Sequence, residues 1–435
     1  MPPVTRPVRG AASLKPALVL AGAAVGLIVF TGLWIAGGRD GRRADAMAHV
    51  NRGAELSKQN KLDEAIAAYR DAIGKNPEFA QAHNNLGIAL HGKGRTEEAI
   101  AELRTAIRLE PDNAESHYNL SLILKSQRRQ DDAIAACRNA IRLKPGFALA
   151  HMTLGALMQS QGKAEEAIVA SRAAIRLKPD LAMAYMNLGA ALQSQGKLDD
   201  AISVFREAIR LKPGLALAHS NLADALRAQG NLDEAMAECR TAIRLEPDCS
   251  DAHLNLGTIL ARQGKVDDAI AAWREAIRLQ PTLATAHMNL GTVLKDQGKR
   301  DEAIAELRAA IRLAPDFAQA HMNLGGLLQS RGKLKDAVAE YRTAIELQPG
   351  YADAHFSLGT VLGDQGKLED AIAEFRAATR LQPGHAMAHF VLGLALRERG
   401  EQEESIAEFR KARDNAQRGS QLADQIARYL PATGP

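Results

Sequence analysis

From Ala46 to Gly419 the apolar and polar positions of this chain follow one pattern, written eleven times with a period of 34 residues. The copy beginning at Met186, MNLGAALQSQGKLDDAISVFREAIRLKPG, shows its form. Each copy predicts two helices, here near Ala182–Ser194 and Asp199–Leu211. In the second, Ala201, Phe205 and Ala208 fall four and three apart, on one helix face. One glycine fixes the register: Gly53, Gly87, Gly155, Gly189, Gly257, Gly291, Gly325, Gly359 and Gly393, with Ser121 and Ala223 in the other two units. Twenty-four residues later comes a proline, from Pro77 to Pro383, except in the eleventh unit, which has Gln417. A 34-residue period with these marks is that of a helix–turn–helix repeat. One hairpin cannot bury its own apolar face, so the units must stack into a solenoid.

The punctuation explains where the helices stop. Gly196 lies between the two helices, and nine of eleven units have glycine there, Asn60 and Arg128 being the exceptions. Glycine enters the left-handed region that ends a helix without a Cβ penalty. The second helix opens on acids, Asp199-Asp200 here and Asp63-Glu64 in the first unit, expected to cap free N–H groups and complement the positive helix end. Pro213 stops that helix. Ala201 and Ala208 allow close helix approach.

Leu188-Gly189, Leu192, Ala201, Phe205, Ala208 and Pro213 recur unit after unit, and the chain resembles the tetratricopeptide repeat family along almost its whole length. Where that family usually has a bulky aromatic on the first helix, this chain has Tyr185 once and histidine ten times. The units look most like the repeat arrays of O-linked GlcNAc transferases, whose first helices carry the same Asn-Leu-Gly. The resemblance implies an all-α fold: antiparallel helix pairs wound into a right-handed superhelix with a concave groove. After Gly419, SQLADQIARYL places Leu422, Ile426, Tyr429 and Leu430 on one face, as expected of a cap over the last repeat.

Ahead of the array, Ala17–Gly38 is 22 residues without a charge, ALVLAGAAVGLIVFTGLWIAGG. About 20 residues cross a bilayer as a helix. A secretory signal has a shorter apolar stretch of about 7–15 residues. The segment is therefore expected to be a single transmembrane anchor, and the protein a single-pass membrane protein. Arg6, Arg9 and Lys15 before it balance Arg39, Arg42 and Arg43 after it, so the charges leave its orientation open. The expected organisation is a basic tail (1–16), a transmembrane helix (17–38), a polar neck (39–45), the eleven units (46–419), a capping helix (420–430) and a tail (431–435).

Charge and composition narrow the function. Lys+Arg 55 against Asp+Glu 51 gives a net charge of only +4, which argues against nucleic acid as a partner. Cys137, Cys239 and Cys249 form no CxxC pair. The first two fill the slot held by Phe205, Trp273, Tyr341 and Phe375 elsewhere, as core residues. Gly196-Lys197 and its equivalents lack the rest of a phosphate loop, and no catalytic motif occurs. No enzyme activity and no cofactor are expected. Ten of the twelve histidines, from His49 to His389, share one repeat position. Successive repeats stack at roughly 8–10 Å, too far for two imidazoles to share a zinc at about 2.0–2.1 Å. Packing is their expected role. Arginine fills one slot in all eleven units, Arg70 to Arg410, and is expected to complement the carboxyl end of the second helix.

Two stripes on the first helix are the candidate site. Asn51, Asn85, Asn119, Asn187, Asn221, Asn255, Asn289 and Asn323 share one position, with Thr153, Ser357 and Val391 completing the series. A carboxamide both donates and accepts, so one per repeat suits clamping the backbone of an extended peptide. The resemblance implies that role for such a ladder. The other reading is a bond from each asparagine to the preceding repeat, which fixes the stacking. Beside it run Tyr118, Met152, Met186, Leu254, Met288, Met322, Phe356 and Phe390, either an apolar track for a partner or core. Together they predict a scaffold or adaptor that binds extended segments of partner proteins. The alternative is a substrate-recruiting subunit of a protein O-glycosyltransferase system. The array stops 16 residues before the chain does, so the catalytic domain is expected on another chain.

Overall fold

The computed structural model describes residues 41–417 and 420–430 of the chain. Among them are 23 α-helices and no strand, an all-α solenoid. Each unit has a first helix, A, and a second, B. α1 (Gly41–Lys58) and α2 (Leu62–Lys75) form the first unit, α9 (Ala182–Ser194) and α10 (Leu198–Leu211) the fifth, and α21 (Ala386–Arg399) and α22 (Gln402–Asn415) the eleventh. Two compact units divide the chain, Met1–Glu246 with six repeats and Pro247–Pro435 with five. The expected basic tail and transmembrane helix lie outside the described residues. Among the described residues no helix is long and apolar enough to cross a membrane. Residues 41–45, expected as neck, are instead the first turns of α1. Nothing between Gly41 and Gly53 breaks a helix, so the backbone of the first repeat extends back through them.

The turns obey their local chemistry. Gly196 has φ +75°, and its eight equivalents are also left-handed. Asn60 and Arg128, the two exceptions, adopt the same conformation at φ +59° and +58°. Position therefore outweighs residue type, because the Lys197 N–H must reach back to the Leu192 carbonyl at 3.0 Å to close α9. At the far end of α10, Lys212 is extended (φ −141°, ψ 83°), as a residue before proline must be. The acids opening the B helices do not cap them. The N-cap is Lys197 in α10, with no side-chain bond to the free N–H groups. Asp199 and Asp200 sit within the first turn, past the cap position, where only their charge meets the positive helix end.

Within a unit, A and B touch at the register glycine. A Cβ built on Gly189 would lie 2.4 Å from the Phe205 ring, and on Gly257 it would lie 2.7 Å from Trp273. The absence of a side chain lets a large one from the B helix lie flat on the A backbone. Ser121 and Ala223 break the glycine series, and their facing residues are the two small cysteines, Cys137 and Cys239. Both are fully buried. Burial pushes the Cys137 thiol up to about 12, which makes it an inert filler.

Between units, the arginine slot has a role beyond the helix dipole. Arg138, Arg206, Arg274 and Arg376 each bridge to a glutamate 28 residues on, in the next B helix: Glu166, Glu234, Glu302 and Glu404, at 2.6–3.1 Å. Where that acid is aspartate, as for Arg104, Arg172, Arg308 and Arg342, no such bridge forms, because the carboxylate is one methylene short. These pairs are exposed and contribute about 0–1 kcal/mol each. They set register more than stability.

The histidines tie each A helix to its own B helix and to the loop before it. In His83, His219, His287, His321, His355 and His389, Nδ1 lies 2.5–2.6 Å from a carboxylate oxygen of Glu102, Glu238, Glu306, Glu340, Glu374 and Glu408. Nε2 of each lies 3.0–3.3 Å from a proline carbonyl, Pro77, Pro213, Pro281, Pro315, Pro349 and Pro383. His117, His151 and His253 keep only the proline contact, since alanine replaces the glutamate. At His83, His287 and His321 the two flanking acceptors favour the ring that donates from both nitrogens. The Glu306 and Glu340 bonds raise His287 and His321 above 6.5 against burial. For His83 burial pulls hardest and downward, but Glu102 and Pro77 together carry it up.

At the end of the array, α23 (Gln421–Ala427) covers the last repeat. Ser420 accepts the Ala423 N–H at its start. Ile426 is fully buried with Phe390, Phe409 and Ala412, and Tyr429 stacks on Phe409 at 5.0 Å.

Gly189→Ala should destabilise the fifth repeat by about 1–3 kcal/mol through overpacking, despite the roughly 1 kcal/mol helix preference of alanine. In a Phe205→Cys background the same change should be neutral or favourable. Hydrogen exchange of the α9 and α10 amides measures both; equal costs in the two backgrounds would refute the steric account. A raised histidine stabilises fully below the ordinary value, and that contribution is lost as pH rises through the folded value. The thermal midpoint should therefore fall as pH rises above about 6.5. His287→Tyr with His321→Tyr, which copies Tyr185, should flatten that slope; an unchanged slope in this variant contradicts the assignment.

Candidate peptide-binding face

The face in question is the side of the A helix turned from its B partner. On α9, Met183, Asn187 and Ala190 lie on it, four and three residues apart. None is fully buried, whereas Ala184, Leu188 and Leu192 point into the core. The asparagine series sits at the centre of this face.

The structure separates the series into distinct environments. Asn51 is exposed; Asn187, Asn221, Asn255 and Asn289 are half-buried. Asn323 is 8% exposed, while Asn85 and Asn119 are 1% and 0%. In this structure those last two offer nothing to a ligand, contrary to expectation. Asn119 Nδ2 donates to Asn84 Oδ1 at 3.1 Å, and Asn84 donates to Asn85 Oδ1 at 3.1 Å. The reason is that the second repeat has an extra asparagine, Asn84, where others have the apolar stripe residue.

Bonds to the preceding A helix recur along the series. Besides Asn119, Asn187 Nδ2 donates to the Met152 carbonyl at 3.0 Å. Asn289 and Asn323 donate to Thr258 and Thr292 Oγ1 at 3.4 and 2.8 Å. Each threonine hydroxyl in turn donates to a carbonyl of its own helix, Leu254 or Met288. Such a bond uses one of the two N–H groups of an amide and none of its oxygen lone pairs. The stacking role therefore holds the amide in place without exhausting it. Half-buried Asn187 and Asn289 are pre-set donors and acceptors, one per repeat.

The apolar stripe is not a surface track. Tyr118, Met186 and Phe390 are 1%, 3% and 8% exposed, and Leu254 is buried as well. Met152 is half-buried. Met288, Met322 and Phe356 are half-buried and pack against the core of the second compact unit. These positions precede the asparagine by one residue, a rotation of about 100° about the helix axis, which turns them toward neighbouring helices. Tyr118 packs its ring 4.9 Å from Phe147. Its burial pushes the phenol up to about 12, with a bond to Thr153 pulling the other way.

Several residues on the face were not singled out by the sequence pattern. Thr258 and Thr292 stand three positions after the asparagine slot and brace the asparagine of the next repeat. Gln159 donates to the Ala190 carbonyl at 3.2 Å and Gln193 to Asp224 at 2.6 Å, with Asp224 paired to Arg227. Polar variety at these positions hid them, since no single residue type recurs. Among the described residues no group of three or more His, Cys, Asp or Glu is arranged to hold a metal ion.

Comparison with known proteins places this geometry. A family model described as Tetratricopeptide repeat matches residues 50–108, 220–284, 288–352 and 356–420, more than half of the chain. Related repeat models match 90–127, 159–196, 182–215 and 114–147. No curated protein matches the chain. Among solved structures, the APC/C hetero-tetramer Cut9-Hcn1 superposes with TM-score 0.53 at 12% identity, over 89% of this chain and 96% of that one. YrrB, a TPR protein with an unusual peptide-binding site, aligns at 25% identity over 42% of this chain and 95% of its own, with TM-score 0.37. With a family model matching over half its length and its helix pairs folded as the repeat requires, the chain belongs to the tetratricopeptide repeat family.

Proposed function

We propose that this protein is a non-catalytic, membrane-anchored adaptor whose A-helix face holds extended peptide segments of other proteins. The observation that carries this reading is the half-buried part of the asparagine series: Asn187 and Asn289 are braced by the preceding repeat and keep hydrogen-bonding capacity in reserve. Such groups recognise a peptide backbone whatever its side chains. The uncharged stretch Ala17–Gly38 has the length of a membrane helix and supports the anchor. Tetratricopeptide repeats suit protein binding, because a stacked array offers continuous surface.

A second reading is favoured by one feature, the Asn-Leu-Gly that these first helices share with the arrays of O-linked GlcNAc transferases. In that reading the chain recruits substrates for a protein O-glycosyltransferase whose catalytic domain lies on another chain. Co-purification of a glycosyltransferase with the full-length protein would favour it; varied membrane-complex subunits would favour the adaptor.

Asn187→Ala, Asn221→Ala and Asn255→Ala together should weaken capture of extended peptides about tenfold or more, from lost hydrogen bonds of roughly 0.5–1.5 kcal/mol each. Circular dichroism should show unchanged helicity. Peptide capture at the wild-type level would discard the reading.

A further inference from the structure

One edge of the A-helix face changes character in three consecutive repeats, all within the first compact unit. The second residue of the A helix is Leu149, Met183 and Leu217 in repeats four to six. Met183 is 40% exposed and the two leucines are half-buried. In the next four repeats the same slot is Asp251, Thr285, Gln319 and Asp353; it is apolar again as Met47 in the first repeat and Met387 in the eleventh, so a run of three is local to repeats four to six. Four residues after Met183 and Leu217 come Asn187 and Asn221, on the same helix face.

The residue that ends the preceding B helix changes in the same three repeats. It is Lys144, Lys178 and Lys212, all exposed. Elsewhere the slot holds Asn76, Glu110, Glu246, Gln280, Ala314, Gln348 and Gln382, with no other cation. Each lysine stands five residues before its apolar partner, across the short loop that enters the A helix. Lys144 bonds Glu115 at 2.8 Å and lies 5.0 Å from the Phe147 ring centre. Lys178 and Lys212 have no bonded partner among the described residues. Asp180 is the exposed acid in the intervening loop. In these three repeats the edge is thus apolar and lysine-rimmed together.

We propose that this edge selects partner segments in which apolar residues recur at every third position with acidic residues between them. Spacing sets the period. Packed helices stand roughly 8–10 Å apart, and an extended polyproline-type chain advances about 3.1 Å per residue with three residues per turn. Every third side chain then falls on one side, about 9 Å apart, one per repeat. The side chains between are directed to the lysine rim, where carboxylates gain and cations are repelled. This selectivity rests on the proposed peptide-holding role of the A-helix face, which it refines.

The test measures fluorescence anisotropy of labelled twelve-residue peptides with the full-length chain in detergent. A peptide of Leu-Pro-Glu triplets should bind. One of Leu-Pro-Lys triplets should bind about tenfold or more weakly. Leu149→Asn with Met183→Asn and Leu217→Asn, and separately Lys144→Gln with Lys178→Gln and Lys212→Gln, should each weaken the Leu-Pro-Glu peptide about tenfold at unchanged helicity. Only the lysine variant should also lose the salt dependence. Equal binding of the two peptides, or wild-type binding by either triple variant, overturns the proposal. If the Leu-Pro-Glu peptide fails while other extended peptides bind through Asn187 and Asn221, the selectivity is wrong and the adaptor reading stands. If no peptide of a mixed library binds, both fall.

Discussion

The close approach of the two helices in each unit is the constraint on which everything else depends. Gly189 gives up a side chain so that Phe205 can lie on the α9 backbone, and seven other glycine units repeat the exchange with phenylalanine, tyrosine, tryptophan or leucine, while Gly155 faces the small Ser171. The core needs few large residues as a result, and only 4% of the chain is aromatic. The two units that depart from glycine depart in their partner as well, Ser121 with Cys137 and Ala223 with Cys239. Volume on one helix is traded against volume on the other, as close packing demands.

Once each hairpin is fixed, stacking follows from apolar flanks that a single unit leaves open. The polar bonds between repeats add direction. Asparagine and threonine link successive A helices on one side, and arginine and glutamate link successive B helices on the other. Exposed pairs of this kind are weak singly, but those that form recur at equivalent positions, so their small preferences favour one register. At the carboxyl end the stacking surface is closed by Ile426 and Tyr429.

In the proposed reading, binding and architecture draw on the same side chains. The asparagine that braces one repeat on the next is the group best placed to meet a peptide, because a carboxamide has more hydrogen-bonding capacity than the brace consumes. A pre-set amide loses little rotamer freedom when it binds, which is the usual advantage of preorganisation. The histidines show the opposite case. In six of them, His83, His219, His287, His321, His355 and His389, both ring nitrogens are engaged, so nothing remains for a ligand.

The sequence by itself determined the hairpins. Period, glycine register and proline gave the number of units, the helix ends within a residue or so, and the left-handed turns at the glycines, because these are local properties of backbone sterics; the same turn at Asn60 and Arg128 came from the structure. It also marked the asparagine position. Only the tertiary structure decided which way the flanking residues turn: Tyr118, Met186 and Phe390 go inward, since helical period alone cannot separate a groove wall from a packed flank when both are apolar. It likewise decided that His287 meets Glu306 and that Arg138 meets Glu166, contacts between residues 19 and 28 positions apart. Such partners depend on how helices lie side by side, and that is set by packing across the repeat rather than by any stretch of chain.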